Sequence, residues 1–286
     1  MNTAKEFKRL GEYTYKHYRD DLNRYWSHLF DVPMVAVGPR DLRKVLSKVK
    51  GKPKHKQNVF APVRGGFKHA QSEGWIDTNP CLAISFGKTQ KPPPDYFKPR
   101  EQEDLLSKME GQSYRYAKLF FETGMRPCET LAIYEYDIDF DEATLTVERA
   151  IVDGKPQPYT KTHKIRKVYL TPDAVLVLKQ QLPHSVKGKL FNWMTTKVPH
   201  EAMREAMRGA EMRVRRPYCA RHTRASTLLT TMEDAAFSAR QLGHSQYTFQ
   251  TVYASWIDEL ENKDKAAAIT GIKTKPKLEL VQAEGV

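Results

Sequence analysis

The sequence predicts a mainly α-helical protein with a small antiparallel β-sheet, an α+β class. Three observations point there. Aromatic and leucine residues recur at helical spacing through the first part of the chain. Strand-forming residues concentrate in one short region, 144–170, around an Asp153-Gly154 turn. From Pro172 onward the pattern is helical again, punctuated by Gly and Pro.

The first predicted helix covers residues 3–30, where Leu10, Tyr13, Tyr15, Tyr18, Leu22, Tyr25, Trp26 and Leu29 stand at near-helical intervals. Pro33 and the Gly38-Pro39 pair end it. Asp41 is a candidate cap for a short helix carrying Leu42, Val45 and Leu46. Lys48 to Lys56 reads as a basic turn. A helix over 57–74 follows, with Val59, Phe60, Val63, Phe67 and Ala70 on its apolar side and Pro62 near its first turn, where a missing N–H is tolerable. The polar segment Lys88 to Asp95 contains three consecutive prolines, which favour a stiff extended linker. The expected organisation is a helical domain over 1–90, a linker over 91–97, a second domain over 98–270 and a flexible tail over 271–286. Within the second domain, helices are expected near 98–110 and 113–122, and strands over 144–152, 157–161 and 166–170. A further helical run spans 257–269.

Composition narrows the function. The chain has 286 residues, enough for two domains. Its first residues, MNTAKEFKRL, lack the apolar run of a signal peptide, and no stretch approaches the roughly 18 apolar residues of a membrane span. Cys81, Cys128 and Cys219 are odd in number and widely spaced. They form neither a disulfide framework nor a zinc pattern, which reads as small buried thiols in a reducing cytosol. Net charge is +13. Residues 1–95 carry 18 Lys and Arg against 9 Asp and Glu, so most of the excess lies in the first third. A polyanionic partner explains this distribution; a merely solvated basic surface would look the same.

Breaking a phosphodiester without metal or nucleotide requires a nucleophile, fixed donors on the nonbridging oxygens and an acid for the departing oxygen. Arg suits the oxygens through its planar, permanently charged fork. Lys can give up a proton to the leaving group, and Tyr can form a transient covalent link to phosphorus. Those residue types occur in order along the second domain. Arg126 lies in Thr123-Gly-Met-Arg-Pro-Cys-Glu129, Lys161 in Thr160-Lys-Thr-His-Lys-Ile-Arg166, Arg221 in Arg221-His-Thr223, His244 in Leu242-Gly-His-Ser245, and Tyr253 nine residues after His244. Singly, each has an ordinary structural reading. Arg126 could pair with Glu129, Lys164 or Lys167 could stand in for Lys161, and His244 could cap a helix. Tyr253 could be a core aromatic.

Taken together and in order, these segments resemble the tyrosine recombinase family, the phage integrases in particular, over nearly the whole chain and most strongly from 116 to 257. The resemblance implies a helical, SAM-like core-type DNA-binding domain followed by a tyrosine recombinase catalytic domain. It implies that Arg126 and Arg221 clamp the nonbridging oxygens, that His244 and Tyr218 add donors, that Tyr253 makes a 3′-phosphotyrosyl bond, and that Lys161 protonates the departing 5′ oxygen. No cofactor, ATP or metal is implied. Two positions depart from the family pattern. Tyr218 stands where a His is commonest, and a phenol, with an ordinary pKa of about 10, is a poor proton acceptor near neutral pH. Ser255 stands where many members have His. His222 does not occupy the catalytic His position, and a hydrogen-bonded structural role is expected for it.

The resemblance also implies a double-stranded DNA partner gripped from both sides, assembly as a homotetramer on attachment sites, accessory DNA-bending proteins, and a cytoplasmic, nucleoid-associated place in a bacterial host. The run 257–269 would pack on a neighbouring subunit or fold back on its own domain. Candidate DNA contacts are Lys52, Lys54, Lys56 and Gln57 at the entry to the 57–74 helix, and Arg64 and Lys68, four residues apart on its polar face. An arm-binding domain would lie upstream, absent or truncated. Three neighbouring readings stay open: a type IB topoisomerase, a chromosome-dimer resolvase, and a non-catalytic DNA-binding protein keeping the fold.

Overall fold

The computed structural model describes residues 11–87, 94–232 and 234–253. The expected helix at 257–269, the tail at 271–286, Ser255 and most of the polyproline segment lie outside the described residues. The chain divides into two compact units, Met1–Pro92 and Pro93–Val286.

The first unit is helical. Helix α1 (Glu12–Asp21) continues through a π-helical turn at Leu22–Trp26 into a 3₁₀ turn at Ser27–Leu29. Over residues 12–29 the long helix expected at 3–30 is therefore wound in three ways, and residues 3–10 lie outside the described residues. The wider turn delivers Trp26 into the core, where its indole Nε1 donates to the Val59 carbonyl at 3.1 Å. Helix α2 (Pro39–Lys48) starts two residues before Asp41. Asp41 caps from inside the first turn, its carboxylate accepting the Gly38 N–H at 3.0 Å, because Pro39 already supplies the first helical residue.

Helix α3 (Pro53–Ser72) also begins earlier than its apolar pattern suggests, again at a proline with φ preset for a first turn. Lys54, Lys56 and Gln57 consequently belong to the helix, and Pro62 sits in its middle rather than near its start. Pro62 is buried beside Val59, Phe60 and Phe67, so its ring fills core space where it forfeits a helical hydrogen bond. Trp26, Leu42, Val45, Val59, Phe60 and Phe67 form this unit's core.

The second unit opens with α4 (Pro99–Ser107), α5 (Gly111–Thr123) and the single turn α6 (Pro127–Thr130). Five short strands follow: β1 (Ile138–Asp139), β2 (Thr144–Val147), β3 (Ala150–Val152), β4 (Lys155–Gln157) and β5 (Arg166–Tyr169). Strands β1, β2 and β5 make one antiparallel sheet in that order, with Leu145 opposite Val168. Strands β3 and β4 pair separately, Val152 opposite Lys155, across a turn whose Asp153 and Gly154 both have positive φ. That is the geometry an Asp-Gly hairpin turn demands.

Two strand expectations are corrected here. The run 144–152 breaks at Glu148-Arg149, where Arg149 turns aside to pair with Asp137 at 2.8 Å and the chain leaves one sheet for the other. The strand expected at 157–161 instead ends at Gln157, where its partner β3 begins at Ala150 and offers no further residue to pair with; residues 158–165 form a loop.

Helices α7 (Pro172–Gln181), α8 (Lys197–Gly209), α9 (Cys219–Met232) and α10 (Ala235–Leu242) complete the unit, with further helix over 246–253. Helix α5 is central: Tyr116, Leu119, Phe120 and Phe121 are buried among residues of the sheet and of α7 to α9. A second cluster joins Leu228 and Leu229 of α9 to Leu242, Phe249 and Tyr253. None of the described helices is long and apolar enough to cross a membrane.

Candidate active site

The site is built where the ends of α5, α9 and α10 meet. Helix α5 ends at Gly124, whose φ of +60° suits glycine and reverses the chain. Arg126 follows as the residue before α6. Its guanidinium donates to Glu129 at 2.8 Å and to the Gly243 carbonyl at 2.8 Å. Glu129 is the organiser of this corner. Buried to 1% exposure, it accepts the Arg126 backbone N–H and guanidinium and two further bonds from Arg166 of β5, at 3.2 and 2.6 Å. Burial opposes its ionisation, but the bonds and charges of Arg166 and Arg126 outweigh it and hold the carboxyl below its ordinary range.

Arg221 comes from the first turn of α9 and is fully buried, at 0% exposure. Nη1 donates to the Gly124 carbonyl at 2.7 Å, and Nη2 to the Leu242 carbonyl at 2.6 Å. Nη2 also lies 2.7 Å from His244 Nε2. Burial, countered in part by the surrounding groups, pushes the guanidinium below its ordinary pKa.

The segment Leu242-Gly243-His244-Ser245 has one task per residue. Gly243, at φ +67°, ends α10 in a left-handed turn, with the Gly243 N–H bonded to Arg240 and the His244 N–H to Ala239. That reversal turns the Leu242 carbonyl to Arg221 and the Gly243 carbonyl to Arg126. His244 enters the site; burial and the nearby Arg221 and Arg126 push its imidazole down to about 3, so the ring is neutral at pH 7. Ser245 starts the next helix by accepting the Thr248 N–H at 3.1 Å. Phe249 and Tyr253, four residues apart, then share the buried face of that helix.

Tyr253 has 0% exposure. Its ring packs on Phe249 at 4.8 Å and faces His244 at 6.2 Å. Its hydroxyl lies 2.9 Å from His222 Nδ1. Burial raises the phenol's pKa, and Arg221 acts against that. Tyr218, one turn before His222, sets its ring edge against the imidazole at 5.4 Å and stays 36% exposed. The triplet 221–223 thus points three ways: Arg221 to the two reversals, His222 to Tyr253, and Thr223 to the Phe97 N–H at 2.9 Å.

Among the sequence-derived candidates, Arg126, Arg221, His244 and Tyr253 come together, with Tyr218 at the edge through His222. Lys161 does not join them: it is exposed in the 158–165 loop, beside a turn in which the His163 N–H bonds to Thr160. Lys52, Lys54, Lys56, Gln57, Arg64 and Lys68 all lie at or on α3 in the first unit, with Lys52, Lys54, Arg64 and Lys68 exposed and Lys56 and Gln57 half-buried. Sequence reasoning missed Arg166 as the second cation on Glu129 and His222 as the imidazole at the Tyr253 hydroxyl. Arg166 is 37 residues from Glu129, and no local pattern connects them. For His222 the signal was present, since it stands four residues after Tyr218 and so shares its helix side. Among the described residues, no group of three or more His, Cys, Asp or Glu side chains is placed to hold a metal ion.

The chain is similar to the prophage integrase IntR of Escherichia coli K12, 26% identical over 244 residues, covering 73% of this chain and 59% of that protein. It therefore spans less than two thirds of that relative. It is also similar to the tyrosine recombinase XerC of Oceanobacillus iheyensis, 22% identical over 266 residues and 86% of each chain. Among solved structures, it shares the fold of the Tn1549 transposon integrase in complex with transposon right end DNA, with a TM-score of 0.75 at 16% identity over 93% of this chain and 98% of that one. It shares the fold of a lambda integrase dimer bound to a core site at a TM-score of 0.66 and 16% identity, over 83% and 90% of the two chains. The model of the phage integrase family matches residues 96–259, which include every residue of the corner just described, and the chain belongs to that family.

Proposed function

We propose that this protein is a site-specific DNA recombinase of the integrase kind, which cuts and rejoins duplex DNA through a 3′-phosphotyrosyl intermediate. The observation that carries this reading is the meeting of Arg126, Arg221 and His244 on one pair of chain reversals beside the Tyr253 ring. Two guanidinium groups and an imidazole supply donors for the nonbridging oxygens of one phosphate. Tyr253 Oη attacks phosphorus as the P–O5′ bond breaks, and Lys161, carried on its exposed loop, protonates the departing 5′ oxygen. A 5′ hydroxyl from a partner duplex then attacks the phosphotyrosine and releases Tyr253. The linkage conserves the bond energy, so the cycle runs without ATP.

Tyr218 donates to the phosphate from the rim of the site. Lys52, Lys54, Lys56, Gln57, Arg64 and Lys68 bind duplex backbone along α3. The working assembly is a homotetramer on DNA, helped by DNA-bending proteins and located with the nucleoid in a bacterial cytoplasm. The linker at 91–97 joins a DNA-binding domain over 1–90 to the catalytic domain over 98–270.

The test uses a nicked suicide duplex whose binding sequence is selected from a random pool with this chain. Tyr253→Phe is expected to bind that duplex within about twofold of wild type and to form no covalent adduct on a denaturing gel. An adduct from that variant refutes the assignment of the nucleophile. A recombinase more like those named XerC, acting on one short site, is favoured by the match over 86% of both chains. Recombination between two copies of the selected core site, without flanking DNA, would decide for it.

A further inference from the structure

We infer that His222 is the proton acceptor for Tyr253, filling with a different residue the role left vacant by Tyr218. The inference rests on the reading of Tyr253 as nucleophile and adds the group that activates it. Three observations support it. The imidazole Nδ1 lies 2.9 Å from the Tyr253 hydroxyl, within direct proton-transfer distance. The charge of Arg221 acts on both members of this pair, His222 and Tyr253, so the cation proposed to hold the phosphate lies near them. The ring is positioned from both sides, by Tyr218 at 5.4 Å and Tyr253 at 5.8 Å, each meeting it edge-on.

Other candidates in the site do not serve. His244 has its Nε2 committed to Arg221 at 2.7 Å, while Tyr218 is a phenol and competes poorly for a proton with the phenol it would have to deprotonate.

The groups facing His222 are Arg221, Asp95, Tyr218, Tyr253 and His244. Burial and then Arg221 push its pKa down to about 4, with Asp95 opposing. At rest the imidazole is neutral, and as proton acceptor it takes the tautomer in which Nδ1 accepts from the Tyr253 hydroxyl while Nε2 carries the proton. A phosphate arriving on Arg221 neutralises the charge that depresses His222 and makes the imidazole a stronger base when substrate is present.

The proton then moves from Tyr253 Oη to His222 Nδ1, the oxygen forms its bond to phosphorus, and the P–O5′ bond breaks as the 5′ oxygen takes a proton from the acid. In the rejoining step the incoming 5′ hydroxyl returns a proton to Lys161, the acid of the first step, as its oxygen bonds to phosphorus. Tyr253 leaves and recovers its proton from His222, so the enzyme returns unchanged.

The test compares wild type, His222→Asn and Tyr253→Phe on the suicide duplex selected from the random pool. Asparagine keeps an acceptor oxygen near the Nδ1 position but cannot take a proton. His222→Asn is expected to bind the duplex within about twofold and to form adduct about 10²- to 10⁴-fold more slowly at pH 7. Replacing the bridging 5′ oxygen by sulfur, a leaving group that needs no acid, is expected to leave that defect in place. The wild-type adduct rate should rise with pH and level off below pH 8, once the imidazole is neutral. The His222→Asn rate should keep climbing toward the phenol range near pH 10.

Adduct formation by His222→Asn within threefold of wild type overturns the inference, as does rescue by the bridging sulfur. If that variant does not fold, the wild-type profile decides alone: a rate still climbing at pH 9 to 10 overturns it. Tyr253→Phe separates the two claims. An adduct from that variant sinks the recombinase assignment, whereas an inert Tyr253→Phe beside an active His222→Asn sinks only the role of His222.

Discussion

Replacing Glu129 by Gln tests whether one buried carboxylate holds the corner together. In the native protein this group accepts from Arg126 twice and from Arg166 twice, at distances from 2.6 to 3.2 Å. Gln is nearly isosteric but uncharged, and its amide presents donors to guanidinium groups that are themselves donors. Breaking a buried ion pair by removing one partner costs about 3–5 kcal/mol, because the remaining charges stay buried and uncompensated. For a domain of this size each kcal/mol moves the midpoint by roughly 2–4 °C, so thermal unfolding of the catalytic unit should fall by about 6–20 °C. The effect has a defined pH dependence. The folded carboxyl is held below its unfolded value of about 4.3, so its stabilisation is complete above that value and is lost as pH falls through the lowered folded pKa. Melting curves of wild type and Glu129→Gln should therefore differ most at pH 6 to 8 and converge below about pH 4. A midpoint shift under 2 °C at pH 7, or a gap that widens in acid, refutes the reasoning.

Two further outcomes are expected. Gly124→Ala should destabilise the catalytic unit by about 2–5 kcal/mol in urea unfolding, because a Cβ there needs φ +60° and would lie 2.6 Å from Leu242 Cδ2 and 2.9 Å from Arg224 Cβ; a change under 0.5 kcal/mol would show that the reversal tolerates a side chain. If Arg64 and Lys68 each neutralise one phosphate, the Arg64→Ala, Lys68→Ala double variant should lower the slope of log affinity against log salt by about 0.9 per residue. An unchanged slope in filter-binding assays would leave both side chains facing water.

Much of the site was legible because its motifs are local. The segment Thr123–Glu129 supplied Arg126, and the helix expected near 113–122 ends at Gly124 just before it. The segment Leu242–Ser245 supplied His244, while the parts of Gly243 and Ser245 in ending one helix and beginning the next came only with the structure. The Asp153-Gly154 hairpin was equally plain. What escaped was set by distant partners or by proline. Glu129 showed its link to Arg126 three residues away but not its stronger tie to Arg166, which depends on how β5 lies in the sheet. The long apolar pattern through Trp26 hid a π-helical turn, since the extra residue shifts the helix face without changing composition. Pro53 and Pro39 started helices earlier than the hydrophobic spacing did, because first-turn residues need not be apolar.

The way Arg221 is satisfied has a consequence for selectivity. Its guanidinium is fully buried, yet the bonds it makes are to carbonyl oxygens and an imidazole, and Nε has no hydrogen-bond partner among the described residues. Carbonyl dipoles aim the group without cancelling its charge. The protein thus holds, at the focus of its chain reversals, a buried positive group that bonds to no carboxylate among the described residues, with Glu129 acting on it only across space. In the proposed reaction such a group rewards the phosphodiester's negative charge, and a neutral backbone linkage such as a methylphosphonate would forfeit that attraction whatever its base sequence.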